Sequence, residues 1–125
     1  INGGVQLDLM GQENAESAGT RQLSGIGGQM DFLEGAYRSK GGKGFICINA
    51  SRVTKDGERK SNIVAAIPSG STISAPRTMI QYVATEYGIA DLAGKSLRER
   101  AEAMAAIAHP DFREELMKYA RENFR

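Results

Sequence analysis

The sequence predicts an α/β domain, an open sheet with flanking helices, and three observations carry that expectation. Apolar runs of strand length, Phe45-Ile46-Cys47-Ile48 and Ile63-Val64-Ala65-Ala66-Ile67, lie between segments of helical periodicity. A helix-spaced run follows the glycines Gly25, Gly27 and Gly28. Two capped helical segments occupy the last third of the chain, after Ser96. At 125 residues the chain can bury one core and is most simply one domain, residues 1–125.

Taken in order, residues 5–9 alternate apolar and polar side chains as a half-buried strand does, and Gly11 ends the pattern. Residues 12–24 are polar and read as a loop or short irregular strand. A helix is expected from about Gly28 to Ser39, with Met30, Leu33 and Tyr37 on one face and Asp31 and Glu34 in its first turns. Ser39 to Gly44 forms a basic turn. Phe45–Ile48 suits a strand covered on both faces. Asp56-Gly57 is a hairpin signal between two flanking strands. Ile63–Ile67 reads as a buried strand stopped by Pro68, and Met79 to Thr85 as a third, after which Tyr87-Gly88 turns the chain.

Ser96 and Glu99 have capping-box spacing, and Leu97, Ala101, Met104 and Ala108 make an apolar stripe behind them. His109-Pro110 ends that helix. Asp111 is expected to cap the next one, with Phe112, Leu116, Tyr119 and Ala120 facing inward. The alternating charges from Arg98 to Glu102 read as a solvated face.

The formal charge of +1 gives no electrostatic reason to expect nucleic acid or an anionic membrane as partner. No apolar run approaches the length of a membrane span, and no signal peptide is recognisable. Cys47 is the sole cysteine, so no internal disulfide can form, which fits a reducing, cytoplasmic setting. Its place between Ile46 and Ile48 favours a buried, inert thiol over a nucleophile. The chain opens without Met on a strand-like segment that needs neighbours, the pattern of a domain belonging to a longer protein.

The stretch Ser24-Gly25-Ile26-Gly27-Gly28-Gln29-Met30-Asp31-Phe32 is the main candidate for chemistry. A bare glycine backbone opening a helix directs free N–H groups and the positive end of the helix dipole at one point. Such a point can hold a phosphate, a carboxylate or a developing oxyanion, or it can simply reverse the chain. It is not the dinucleotide fingerprint, because Asp31 stands where a third glycine is required. Lys40 and Lys43, interleaved with Gly41 and Gly42, suit either phosphate contact or a solvated hairpin. Glu86 ends a strand, where α/β proteins place functional groups, and is equally a plain strand-end carboxylate. His109 has no credible nucleophile partner and suits a cap or turn before Pro110. One His and one Cys leave any transition-metal site to carboxylates whose spacing suggests none, so no metal is expected.

Five motifs occur in an order that resembles a known family. They are Asn14-Ala15-Glu16, Gly25 to Phe32, Ser39-Lys40-Gly41-Gly42-Lys43, Thr85-Glu86-Tyr87-Gly88-Ile89-Ala90-Asp91-Leu92, and Arg98-Glu99-Arg100-Ala101 through His109-Pro110-Asp111-Phe112-Arg113. Across essentially the whole chain they resemble the C-terminal domain of the acetyl-CoA hydrolase/transferase family, most nearly its 4-hydroxybutyrate and butyrate CoA-transferase branch. The resemblance implies transfer of CoA from an acyl-CoA to a carboxylate through a glutamyl-CoA thioester on the enzyme. It also implies an open α/β domain that is the second of two related halves, with the active site in the cleft between them. Coenzyme A and its acyl esters then enter as substrate, and no permanently bound cofactor is implied. The implied partners are an acyl-CoA, a small carboxylate, the enzyme's own N-terminal domain and, at the family level, a second copy in a homodimer.

By the same resemblance, the Gly28 backbone amide faces the thioester carbonyl oxygen, Gly27 keeps the turn tight, Lys40 contacts CoA, and Gln29 is a substrate or CoA contact. The family's glutamate nucleophile belongs to a segment before residue 1, and none of Glu13, Glu16, Glu34 or Glu86 stands in its motif. The domain alone is therefore expected to be inactive. Two other functions remain open from the sequence: an acyl-CoA hydrolase on the same scaffold, and a non-catalytic CoA- or nucleotide-binding module.

Overall fold

Leu7, Leu33, Ile46, Ile63, Ile80 and Val83 meet in one apolar core with Met104 and Leu116 from the C-terminal helices. A computed structural model describes this arrangement for residues 1–125. The elements run β1 (Asn2–Gly3), β2 (Gln6–Asp8), β3 (Glu13–Asn14), β4 (Ser17–Ala18), β5 (Arg21–Gln22), α1 (Gln29–Arg38), β6 (Phe45–Cys47), β7 (Ser51–Val53), β8 (Arg59–Ser61) and β9 (Ile63–Val64). Then follow a 3-10 turn (Arg77–Met79), β10 (Tyr82–Thr85), β11 (Gly88–Asp91), α2 (Leu97–Ala106) and α3 (Pro110–Asn123).

The main sheet has the order β1-β6-β10-β11. Strands β1, β6 and β10 are parallel, with Asn2 opposite Ile46 and Val83 opposite Ile46 on the other side. Their carboxyl ends therefore open on one edge of the sheet. Strand β11 returns antiparallel to β10. A smaller sheet, β3-β2-β9, stands beside it, and β4–β5 and β7–β8 are separate antiparallel pairs. The α/β class with an open sheet and flanking helices is as the sequence predicts.

Several elements differ from expectation for local reasons. The run Ile63–Ile67 pairs only through Ile63 and Val64, because its partner β2 is short and its ladder ends at Asp8. The segment expected as a strand from Met79 begins with the 3-10 turn after Pro76, and pairing starts at Tyr82. The expected turn at Tyr87-Gly88 is present, but it leads straight into β11, a strand the sequence does not announce. The two-residue connection from β10, Glu86-Tyr87, has no left-handed residue and so none of the usual hairpin signature. By contrast Asp56-Gly57 does join β7 to β8, with Gly57 at φ +82°.

Strand β6 is covered on one face only: Ile46 is buried while the neighbouring Cys47 is exposed. The expectation of a buried Cys47 is corrected accordingly. Helix α2 starts with the expected capping box of Ser96 and Glu99. Helix α3 is capped two residues earlier than Asp111, at His109, the cap-or-turn position before Pro110. The Nδ1 of His109, rather than Asp111, accepts the Asp111 N–H at 3.2 Å, and Pro110 takes the first helical position. Arg100 leaves the solvated charge face predicted for it. It is 8 % exposed and donates to the Met10 and Arg77 carbonyls at 2.8 and 3.0 Å.

Candidate functional site

The glycine turn forms the exposed N-terminus of α1. Gly27 sits at φ +60°, a conformation that L side chains rarely adopt, and Gly28 is the helix N-cap at φ −90°. No side chain caps this end. The N–H groups of Gly28, Gln29, Met30 and Asp31 make no hydrogen bond to backbone or side chain. These are the orphan donors of a helix start, left facing outward with the dipole's positive end. A Cβ built on Gly28 would stand 3.4 Å from the Phe32 ring, an ordinary contact. Fit alone therefore does not require glycine at position 28.

Behind these donors the Gln29 side chain turns inward. It is 6 % exposed, and its amide donates to both carboxyl oxygens of Glu13 at 2.6 Å. Strand β3 brings Glu13 there by being held on both edges. It pairs with β2, Leu7 opposite Glu13, while the Glu13 N–H donates to the Ala75 carbonyl at 3.1 Å and its carbonyl accepts from Ser74 at 2.7 Å. The Glu13 side chain is completely buried. Burial pushes its carboxyl from 4.5 up to about 7; the Gln29 hydrogen bond opposes that rise and the nearby Glu16 charge adds to it.

Glu13 also touches a second feature. Gly4 lies directly against it, so closely that a Cβ on Gly4 would come within 2.8 Å of the Glu13 Oε1. Gly4 in turn lines an open cleft of about 460 Å³ with Cys47, Ile48, Asn49, Ala84, Thr85 and Glu86. These residues are the carboxyl ends of β1, β6 and β10, the place where open parallel sheets bind ligands. Glu86 is exposed at this rim, with one carboxylate oxygen accepting the Ala50 N–H at 2.9 Å. The chain Gln29–Glu13–Gly4 therefore joins the donor end of α1 to the wall of the sheet-edge cleft.

Lys40 lies at the other end of α1. Ten residues at 1.5 Å per residue separate the two turns by about 15 Å, so Lys40 and Gly28 cannot meet one small anion. A ligand reaching both must be long. Gly42 folds the basic turn onto the helix end: a Cβ there would run into the Ala36 carbonyl oxygen. Lys40 and Lys43 are exposed and form no ion pair within 4.0 Å.

The structure thus brings Gly27, Gly28 and Gln29 together and places Lys40 apart. Glu13, Gly4 and Cys47 are additions to the candidate set. A glutamate in a polar loop carries no local sign of burial, and only its pairing with a residue sixteen positions away reveals it.

An α/β domain with a free helix N-terminus beside a sheet-edge cleft is a class suited to binding an anionic group of a larger ligand. Comparison with known proteins shows the family. Residues 1–120 match the family described as Acetyl-CoA hydrolase/transferase C-terminal domain, and the chain belongs to that family. It is 48 % identical over 120 residues to the butyryl-CoA:acetate CoA-transferase of Anaerostipes caccae, covering 96 % of this chain and 27 % of that protein. It is 48 % identical over 124 residues to the 4-hydroxybutyrate coenzyme A transferase of Clostridium kluyveri, covering 99 % and 28 %. The crystal structure of 4-hydroxybutyrate CoA-transferase from Porphyromonas gingivalis superposes with a TM-score of 0.75 at 41 % identity, covering 99 % of this chain and 26 % of that one. The chain therefore spans little more than a quarter of the length of these relatives.

Proposed function

We propose that this chain is the C-terminal domain of a CoA-transferase that moves CoA from an acyl-CoA to a small carboxylate through a glutamyl-CoA thioester, the glutamate lying elsewhere in the polypeptide. The observation that carries the reading is the set of unpartnered N–H groups from Gly28 to Asp31 at the start of α1, which opens from the exposed Gly27-Gly28 turn. When a carboxylate oxygen adds to a thioester carbonyl carbon, the C=O electron pair moves onto oxygen. A fixed backbone donor stabilises that charge where it develops, and one such donor is worth about 10²–10³ in rate.

In this reading the Gly28 N–H meets the acyl oxygen and Gly27 holds the turn. Gln29 offers its backbone N–H, since its side chain is engaged with Glu13. Lys40, about one helix length away, takes a phosphate at the far end of CoA, whose pantetheine arm gives the ligand its reach. The remainder of the polypeptide supplies the nucleophile and closes the site, and the enzyme acts in the cytoplasm as a homodimer. The free, exposed Cys47 accords with a reducing compartment.

The test uses the complete polypeptide with acetyl-CoA and a panel of carboxylates, following new acyl-CoA and free CoA separately. New acyl-CoA without free CoA supports the transferase. Free CoA alone assigns hydrolysis, and bound CoA with neither product assigns a binding module.

A further inference from the structure

The Glu13–Gln29 pair is the feature that the reaction scheme above leaves unused. A fully buried carboxyl with no cation beside it is a costly thing to keep in a core. This one lies between the two parts of the candidate site, Gly4 on the cleft wall and Gln29 at the start of α1.

Resting on the transferase reading, we propose that Glu13 is a positioning residue: it holds Gln29, and with it the donor end of α1, in place against the cleft wall formed by Gly4. Gln29 is the first residue of the helix and follows Gly28 directly, so anchoring its side chain restrains the backbone that carries the donors. Both oxygens of Glu13 accept from the same Gln29 amide nitrogen at 2.6 Å, which fixes that side chain in direction as well as distance. Gly4 has no side chain where one would strike Glu13, so the carboxyl is packed on that flank too.

The charge of Glu13 matters for the same reason. An ionised carboxylate behind the helix start offsets the dipole's positive potential there and repels an oxyanion forming in front of it. The protonated form still offers one oxygen as acceptor to the Gln29 amide, without that repulsion. The groups facing Glu13 are Gly4 from the end of β1, Leu7 from β2, Gln29 from α1 and the Ser74–Ala75 backbone, none of which titrates. Glu16 is the charged neighbour acting on it, and it disfavours ionisation in the same direction as burial. The carboxyl therefore changes charge close to neutrality, at about 7.

The test compares the complete wild-type polypeptide with its Glu13→Gln and Glu13→Leu variants. Transfer is measured across a range of about three pH units centred on neutrality, with kcat and KM separated. The glutamine can pair amide to amide with Gln29 and stays neutral. The expected result is a wild-type kcat that falls about tenfold as pH rises through neutrality, and a Glu13→Gln kcat that keeps the low-pH value throughout. Glu13→Leu should lower kcat at every pH with little change in KM, and should speed amide exchange at Phe32 and Leu33 in the first turn of α1. A Glu13→Gln profile that falls like wild type overturns the role of charge, and wild-type kcat with unchanged exchange in Glu13→Leu overturns positioning. Should Glu13→Leu fail to fold, Gln29→Leu, which removes the same pair from the other side, is read for kcat and exchange in its place, and wild-type values of both overturn positioning. Absence of transfer by the wild type is a failure of the transferase reading, and the exchange comparison then judges positioning without it.

Discussion

Gln29 and Glu13 form a buried amide–carboxyl pair, sixteen residues apart in sequence, in which one nitrogen serves both carboxyl oxygens at 2.6 Å. The pair binds the first residue of α1 to β3, and through Gly4 to the end of β1. It thereby relates the exposed donors of the glycine turn to the cleft at the sheet edge.

Glu13 gives the fold a pH dependence of definite sign. Its folded-state value, about 7, lies above the ordinary 4.5, so the folded protein keeps a proton that the unfolded chain releases first. The associated stability is complete below the unfolded value and is lost as pH rises through the folded one. The loss is on the order of 3 kcal/mol. The melting temperature of Glu13→Gln should accordingly gain on wild type between about pH 4.5 and about pH 7, then run parallel to it. Curves that are parallel throughout contradict this.

The two glycines of the turn should respond differently to substitution. Gly27 is at φ +60°, so Gly27→Ala forces a strained backbone and should cost about 1 kcal/mol of stability. Gly28 has φ −90° and only the Phe32 ring nearby, which is itself 69 % exposed and free to move. Gly28→Ala should therefore melt close to wild type. Denaturant titration of the two variants checks the contrast, and equal losses would count against it.

Lys40 should act on binding and not on chemistry. It is exposed and lies about 15 Å from the donors. Lys40→Ala should raise KM for acyl-CoA about three- to tenfold, leave kcat unchanged, and lose most of its effect in high salt. Steady-state kinetics at two ionic strengths would decide it. A fall in kcat with constant KM is the contrary outcome.

The C-terminal helices should be separable from function. The Ser96 hydroxyl accepts the Glu99 N–H at 3.3 Å, and the Ser96 N–H donates to the Glu99 carboxylate at 2.8 Å. Ser96→Ala should cost about 1 kcal/mol of stability with kcat unaltered. A change in kcat would mean that α2 reaches the site.

What was legible in the sequence was local. The Ser96 box, the Asp56-Gly57 turn and the helix behind Gly28 each carry their signal within a few residues, and all three appear as read. What was hidden depended on distant partners. Cys47 belongs to an apolar run, yet its side chain faces the cleft, because strand alternation puts Ile46 in the core and Cys47 on the opposite face. Arg100 sits in an alternating charge pattern, yet carbonyls at Met10 and Arg77 draw it inward. Glu13 reads as loop until β2 and the Ser74–Ala75 segment close on either side of it. The turn after β10 is legible at Tyr87-Gly88, but β11, which returns antiparallel from Gly88 to Asp91, shows itself only in its pairing with β10.

The most direct test of the central claim is the kcat of Gly28→Val in the complete polypeptide, read beside its melting temperature. The side chain would stand beside the donors, and its Cβ meets only the exposed Phe32 ring. The account predicts a kcat lower by about 10² with a melting temperature near that of wild type. Wild-type turnover in a folded Gly28→Val protein would contradict it.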